Sequence, residues 1–137
     1  MSSDDSMTAL VDELVRHAFQ VTAVLTRIGA ENDLSLTQLR VLGILRDRRP
    51  RVTELAGYLG LDKSTLSGLI DRAERRGLLG REKSPDDGRA VEVFLTPAGH
   101  ELVELLYPEV HRVLVPALER LAGDERAQLL DLLVKLG

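Results

Sequence analysis

Hydrogen-bonding side chains, most of them short, occupy the outward face of one amphipathic segment of the chain. Lys63, Ser64, Thr65 and Ser67 lie near its start, opposite an apolar stripe at helical spacing. Side chains of these types can contact base edges and phosphates when a helix end enters the major groove of duplex DNA. Arg89 follows in a charged turn, from which its guanidinium can reach sideways into the neighbouring minor groove. The chemistry that these residues predict is hydrogen bonding to duplex DNA.

The four residues at the helix start have separate expected roles. Ser64 and Thr65 are candidates for base edges and for the phosphate beside the first turn, where the helix N-terminus favours an anion. Lys63 is expected to contact phosphate, and Ser67 either phosphate or base. The alternative is that Ser64, Thr65 and Ser67 are the solvated face of a helix with a polar start. The turn before this helix and the hairpin after it favour DNA contact.

Further charges follow along the same helix. Arg72 either pairs with Asp71, Glu74 or the hairpin, or reaches phosphate, and the sequence leaves both roles open. Three more arginines are expected to be positioning or structural charges: Arg75, Arg76 and Arg81.

The turn of the hairpin brings two opposite charges together. Asp87 lies two residues before Arg89 and is expected to orient the guanidinium through a salt bridge rather than to contact DNA itself. The alternative for Arg89 is a plain solvent-exposed turn.

A helix-turn-helix is predicted to position these residues. Its helices cover Val52–Leu59 and Lys63–Arg76, with Gly60 in the tight turn and Asp62 as the second N-cap. Gly77 with an apolar residue after it is typical of a Schellman stop.

A β-hairpin follows this pair of helices. Strands are predicted over Leu79–Lys83 and Ala90–Leu95, joined through a Pro-Asp-Asp-Gly turn. Helix, turn, helix and hairpin in this order predict a winged helix-turn-helix.

Two helices are predicted before this unit. The first covers Met7–Ala30, after a polar start that is expected to be frayed. The second covers Leu36–Arg46, behind a capping box formed by Ser35 and Gln38.

Two more helices are predicted after it. Thr96 caps a fifth helix over Pro97–Leu121, and Asp124–Leu136 forms a last amphipathic helix. Because Pro108 and Pro116 each remove a backbone hydrogen bond, kinks or a break are expected in the fifth helix.

The terminal helices carry more apolar surface than a compact winged-helix core can use. A second copy of the chain would cover this surface, and a symmetric dimer would present two recognition helices to a two-fold symmetric DNA site. The alternative is that these helices pack only within the monomer.

Composition and charge fit this interpretation. The 137 residues are 44% hydrophobic and 29% charged, which predicts about one globular domain. The net charge is −4, yet the stretch from Arg46 to Arg89 holds 11 Lys and Arg against 8 Asp and Glu. Positive charge therefore collects where phosphate contact is expected. The two Tyr and two Phe are too few for RNA or single-strand binding by base stacking.

Several sites and locations are not expected. The sequence shows neither a membrane-spanning run nor a signal peptide, which favours a cytoplasmic protein. The absence of cysteine excludes disulfides and thiolate metal sites. No metal and no cofactor are predicted.

An ordered set of short motifs resembles the MarR family of bacterial transcription regulators over nearly the whole chain. The matching residues are Ser35–Leu42, Leu55–Ala56, Leu59–Leu61, Lys63–Thr65, Asp71–Arg72, Arg76–Leu78, Arg81, Pro85–Arg89, Leu95–Thr96 and Gly99. Single pieces are weak, but the ordered set at these spacings is specific.

The resemblance implies a mainly α fold with a small β-hairpin wing, a winged helix-turn-helix with N- and C-terminal dimerisation helices. Residues 1–137 would form one domain, with a DNA-binding lobe at about 36–96 and a helical dimerisation lobe at about 7–30 plus 97–137. It implies a homodimeric repressor of pseudo-palindromic operators, released by a small ligand, often phenolic or drug-like, held between the lobes. By the same analogy the ligand pocket would be bordered by His17, Phe19, Leu36, Arg40 and His100.

Two features depart from the family pattern. Gly68 stands at an outward position where the family often has a longer polar or basic side chain. The lack of cysteine excludes the peroxide-sensing branch, and three isolated histidines do not suggest the zinc-responsive branch.

Two rival functions are weighed against this one. The first is a winged-helix module that binds protein instead of DNA, with its basic residues as a solvated face. The second is a small enzyme, which is remote because the sequence contains no Gly-rich phosphate loop, metal-ligand cluster or nucleophile motif.

Overall fold

Six helices and one β-hairpin make up residues 2–137, the part of the chain that the computed structural model describes. The elements are α1 (Ser3–Glu31), α2 (Leu36–Leu45), α3 (Val52–Leu59), α4 (Lys63–Arg75), β1 (Leu79–Lys83), β2 (Val91–Leu95), α5 (Pro97–Leu118) and α6 (Gly123–Leu136). This is the predicted mainly α fold, and the hairpin of β1 and β2 with its connecting turn is its wing.

One apolar core joins α2, α3, α4 and the wing. Its most deeply buried side chains include those of Leu42, Leu55, Leu66, Ile70 and Val93. Full burial of such a side chain stabilises the fold by about 1.5–3 kcal/mol. Because Leu66 and Ile70 lie one turn apart on α4, their burial directs the opposite side of that helix outward.

The junction of α4, the wing and α5 is tightly fixed. Gly77 follows α4 with a φ of 72°, a left-handed conformation that glycine adopts easily. Thr96, between β2 and α5, accepts a hydrogen bond from the Gly99 N–H at 3.1 Å and donates one to the Gly77 carbonyl at 2.5 Å. A Cβ on Gly99 would lie 1.9 Å from the Leu78 carbonyl oxygen. The close approach of α5 to this junction therefore requires glycine at position 99.

A third segment extends the wing sheet, which the sequence did not predict. β1 and β2 pair antiparallel over all five residues of each strand. Beside them, the Val93 N–H donates to the Pro50 carbonyl at 2.9 Å, and Arg51 forms an isolated bridge with Glu92. A short polar stretch that contains proline does not look like a strand, because proline cannot donate to a ladder.

The start of α1 corrects the sequence prediction. The helix begins at Ser3 and not near Met7, so the residues from Ser3 to Ser6 are helical instead of frayed, while Met1 lies outside the described residues. Ser2 and Asp5 form a capping box, in which the Ser2 hydroxyl accepts from the Asp5 N–H at 3.1 Å. This pair satisfies backbone groups that would otherwise be open at the helix start.

α5 runs without a break through Pro108 and Pro116 and ends at Leu118 rather than Leu121. The carbonyls that lose their helical partners belong to Glu104 and Arg112, four residues before each proline. Both residues are exposed, so water can pair with those carbonyls and the helix can continue.

Much of the apolar surface of α1, α5 and α6 is exposed within residues 2–137. α1 is exposed from its start to residue 23, and α6 contains no buried residue. Leu10, Phe19, Leu105, Leu130 and Val134 are 62–71% exposed. An apolar surface of this kind on three helices is typical of an interaction face.

Within residues 2–137, no helix is both long and apolar enough to cross a membrane. The same residues include no group of three or more His, Asp or Glu side chains placed to hold a metal ion.

Candidate DNA interface

The N-cap of α4 organises the first of the expected contact residues. Asp62 accepts hydrogen bonds from the Thr65 N–H at 2.7 Å and from the Ser64 hydroxyl at 2.8 Å. These hydrogen bonds lower the pKa of the Asp62 carboxyl, and the bond from the Thr65 main chain has the largest effect. The Ser64 hydroxyl has one O–H, which donates its hydrogen bond to Asp62. The lone pairs of the hydroxyl oxygen are therefore free to accept from the amino groups of bases. Ser64 can donate to a phosphate only after it releases Asp62.

The four predicted residues share one end of α4. Lys63, Ser64 and Thr65 are exposed, and Ser67 is half-buried. The helix dipole adds positive potential at this end. The arrangement can accept a phosphate beside the first turn and place short polar groups against base edges.

Arg81 on β1 binds the carboxylates of Asp71 and Glu74, which are two of the expected partners of Arg72. Its Nε donates to Glu74 at 2.8 Å, and its Nη2 contacts both Glu74 and Asp71. Among residues 2–137, no carboxylate lies within salt-bridge distance of the Arg72 guanidinium. Arg81 is thus a positioning charge that ties the wing to α4, and Arg72 is exposed without an ion pair.

Arg76 is also a positioning charge, as expected. Its guanidinium donates to the main-chain carbonyl of Asp33 at 2.7 Å and to that of Asn32 at 3.1 Å. These carbonyls lie just beyond α1, so the contact joins the end of α4 to the end of the first helix.

The wing turn is shaped by Asp87, although not through the expected salt bridge. Its carboxylate accepts from the main-chain N–H of Arg89 at 3.0 Å, and its carbonyl accepts from the Ala90 N–H at 3.0 Å. Within residues 2–137, no ion pair joins the Asp87 and Arg89 side chains. The carboxylate orients the backbone and the Arg89 side chain is exposed.

Arg49 stabilises the wing, a role that the sequence did not predict. It donates to Glu82 on β1 at 2.9 Å and to Glu92 on β2 at 3.0 Å, and its guanidinium lies 4.5 Å from the centre of the Phe94 ring. The partners are 33 and 43 residues away in sequence, so no local pattern could identify them.

The residues expected around a ligand pocket are spread over three helices. His17 and Phe19 are exposed on α1, and Leu36 and Arg40 lie one turn apart on α2. Arg40 donates to the Tyr58 carbonyl at 3.2 Å, at the end of α3.

The fifth of these residues, His100 on α5, is also exposed. It borders an open cavity of about 320 Å³ together with Arg46, Arg48, Phe94 and neighbouring residues. The other four predicted pocket residues do not line this cavity.

Comparison with known proteins gives a consistent set of matches. A model of the MarR family matches residues 32–90. The HTH-type transcriptional regulator YkoM of Bacillus subtilis is 34% identical over 113 residues, which cover 81% of this chain and 73% of YkoM. The HTH-type transcriptional repressor NicR of Pseudomonas putida is 30% identical over 132 residues, which cover 95% of this chain and 84% of NicR.

A solved structure agrees with this result. It is that of BpsR from Bordetella bronchiseptica, described in terms of the regulation of DNA binding by 6-hydroxynicotinic acid. It aligns with a TM-score of 0.70 at 31% identity and covers 92% of this chain and 91% of BpsR. YkoM and NicR are thus both described as transcriptional regulators, and BpsR as a DNA-binding protein.

Proposed function

The chain belongs to the MarR family of DNA-binding transcription regulators, and on that basis we propose that it is a homodimeric repressor of pseudo-palindromic operators. α4 of each copy enters a major groove, and Arg89 of each wing enters the neighbouring minor groove. The observation that carries the proposal is the apolar surface of α1, α5 and α6, which is left exposed by the described residues 2–137.

A second copy of the same chain is the occupant that suits this surface. The exposed side chains belong to the two ends of the sequence, so one two-fold axis can pair the same helices of both copies. Leu130, Leu133 and Val134 on α6 would then be buried against equivalent residues, as in a core divided between two chains.

The DNA-contact residues are proposed from their position on α4 and the wing. Lys63 and the start of α4 bind phosphate, Ser64, Thr65 and Ser67 lie along the groove, and Arg89 inserts from the side. The unpaired Arg72 guanidinium lies on the same side of α4 and adds positive charge there.

The activity is proposed to respond to a small aromatic acid or phenol. BpsR, at 31% identity, is described with 6-hydroxynicotinic acid as a regulator of its DNA binding. The ligand would bind between the lobes near His17, Phe19, Leu36, Arg40 and His100, and change the separation of the two α4 helices. A coupling of about 1–3 kcal/mol weakens DNA binding about 5- to 150-fold.

Selection of bound duplexes from a random pool, with sedimentation of the protein alone, tests the proposal. The expected product is a sequence with two inverted half-sites about one helical turn apart, bound by a protein that sediments as a dimer. Affinity should fall with salt at a log–log slope of about −0.9 per neutralised phosphate. A monomer, or an affinity that salt does not change, contradicts the proposal and favours a protein-binding module.

A further inference from the structure

An arginine and a glycine form a pair on the exposed side of α4. Ser64, Gly68 and Arg72 follow one another at intervals of four residues, so they form a stripe along the helix. A Cβ placed on Gly68 would have Arg72 Nη1 as its neighbour at 3.6 Å. The Arg72 side chain therefore runs back toward the start of α4, as long helical side chains do, and its guanidinium lies over residue 68.

We propose that Arg72 reads a guanine in the major groove, and that Gly68 provides the space from which it does so. The inference rests on the proposed DNA-binding function and assigns one base contact within it. A guanidinium matches the O6 and N7 acceptors of guanine with two parallel hydrogen bonds. Its position over residue 68 brings this group one turn closer to the start of α4, the part of a recognition helix that contacts bases.

Two observations make Arg72 available for this contact. Asp71 and Glu74, the nearest carboxylates in sequence, both bind Arg81. The guanidinium is also exposed, so its five N–H donors need no rearrangement of the core to meet a base.

Gly68 has no conformational reason to be glycine. The left-handed glycines of the described chain are Gly60 and Gly77, whereas Gly68 lies within a helix, where glycine is unfavourable. Room for the guanidinium accounts for a small residue at this position. A methyl group fits at 3.6 Å as an ordinary contact, but a longer side chain would compete with Arg72 for the same space.

Duplex selection with the wild type and four variants tests the pair. The affinity for each selected duplex is then compared with the affinity for the same duplex with its guanine replaced. The wild type should prefer guanine at one position of each half-site by about 5- to 150-fold, the discrimination that a good bidentate contact gives. Arg72→Ala should abolish this preference, and Arg72→Lys should reduce it because an ammonium lacks the fork geometry. Gly68→Ala should retain the preference, whereas Gly68→Leu should lose it although Arg72 is present.

Arg75→Ala is the matched control, since it removes an exposed arginine from the same helix without touching residue 68. It should leave the guanine preference unchanged. Thermal melting should give the same Tm for Arg72→Ala and wild type, because the Arg72 side chain is exposed and unpaired.

Two results would overturn the inference while the proposed function stands. One is an Arg72→Ala variant whose affinity falls by the same factor for all duplexes. Its log–log slope of affinity against salt would then be smaller by about 1, which identifies a phosphate contact. The other is a Gly68→Leu variant with an intact guanine preference. If the wild type enriches no duplex at all, the proposed function itself fails and the inference fails with it.

Discussion

Arg76, just after α4, donates a 2.7 Å hydrogen bond to the main-chain carbonyl of Asp33, just after α1. Asp33 has a φ of 57°, a left-handed conformation that residues other than glycine seldom adopt. The guanidinium binds this carbonyl and that of Asn32, and so holds the turn in place. One side chain thus joins the proposed recognition helix to a helix of the proposed dimer interface.

Arg76→Ala should lower the free energy of unfolding by about 1 kcal/mol, the usual net value of such hydrogen bonds. Duplex affinity should fall as well, because α4 loses a contact that fixes its orientation. Chemical denaturation and duplex titration measure the two effects. Arg75→Ala removes the same charge without this contact and serves as the control, and equal denaturation midpoints for the two variants would refute the role of Arg76.

Asp62 should make stability depend on pH in the acid range. Its pKa is lowered in the folded protein, chiefly by the hydrogen bond from the Thr65 main chain. A lowered carboxyl pKa contributes stability that is complete above the unfolded value of about 3.9 and is lost as pH falls through the folded value. Asp62→Asn keeps a capping oxygen without titration, so its Tm should decrease less than that of wild type on acidification. The Tm of both proteins is measured from about pH 6 down to about pH 2, roughly the span of carboxyl titration. An equal fall in Tm for the variant and the wild type would contradict this prediction.

Arg89→Ala should weaken duplex binding and leave dimerisation and Tm nearly unchanged, because its side chain is exposed. Asp87→Ala should weaken binding less, since it removes only the carboxylate that orders the Arg89 backbone. Duplex titration with melting curves separates these effects. If Arg89→Ala unfolds the protein, Arg89 is a structural residue and not a DNA contact.

Leu133→Glu should prevent dimerisation, because it places a charge in the apolar face of α6, where Leu133 is 51% exposed in the single chain. Duplex affinity should fall with it, since two linked half-site contacts reinforce each other through effective concentration. Gln128→Glu adds the same side chain at an exposed polar position of α6. Sedimentation should show a monomer for the first variant and a dimer for the second. A dimeric Leu133→Glu protein would place the interface elsewhere.

The helices and strands could be predicted because their boundaries depend on residues close to one another in the sequence. Ser35, Asp62 and Thr96 each cap a helix through a residue three positions away, and such spacings are visible in a sequence. The error at α1 has a local cause too, since the polar start of the chain predicts fraying, whereas Ser2 and Asp5 form a cap.

The contacts that position the site could not be predicted, because they join distant parts of the chain. Arg76 meets Asp33 across 43 residues, and Arg49 meets Glu92 across the same separation. Sequence alone does not decide whether Arg72 forms an ion pair, because Arg81, a residue of another element, binds the carboxylates of Asp71 and Glu74. The roles of Lys63, Ser64, Thr65, Ser67 and Arg89 on DNA stay predictions.

The single residue between β2 and α5 gives the fold a mechanical property. Since the Thr96 hydroxyl bonds both the Gly77 carbonyl before β1 and the Gly99 N–H in α5, we expect the hairpin and the 22-residue helix to tilt together. A rod of that length measures about 33 Å, so a tilt of about 10° shifts its far end by about 6 Å. The five-residue strands of the hairpin are about 17 Å long, so the same tilt would move Arg89, a proposed DNA contact, by about 3 Å, close to the spacing of about 3.4 Å between successive base pairs.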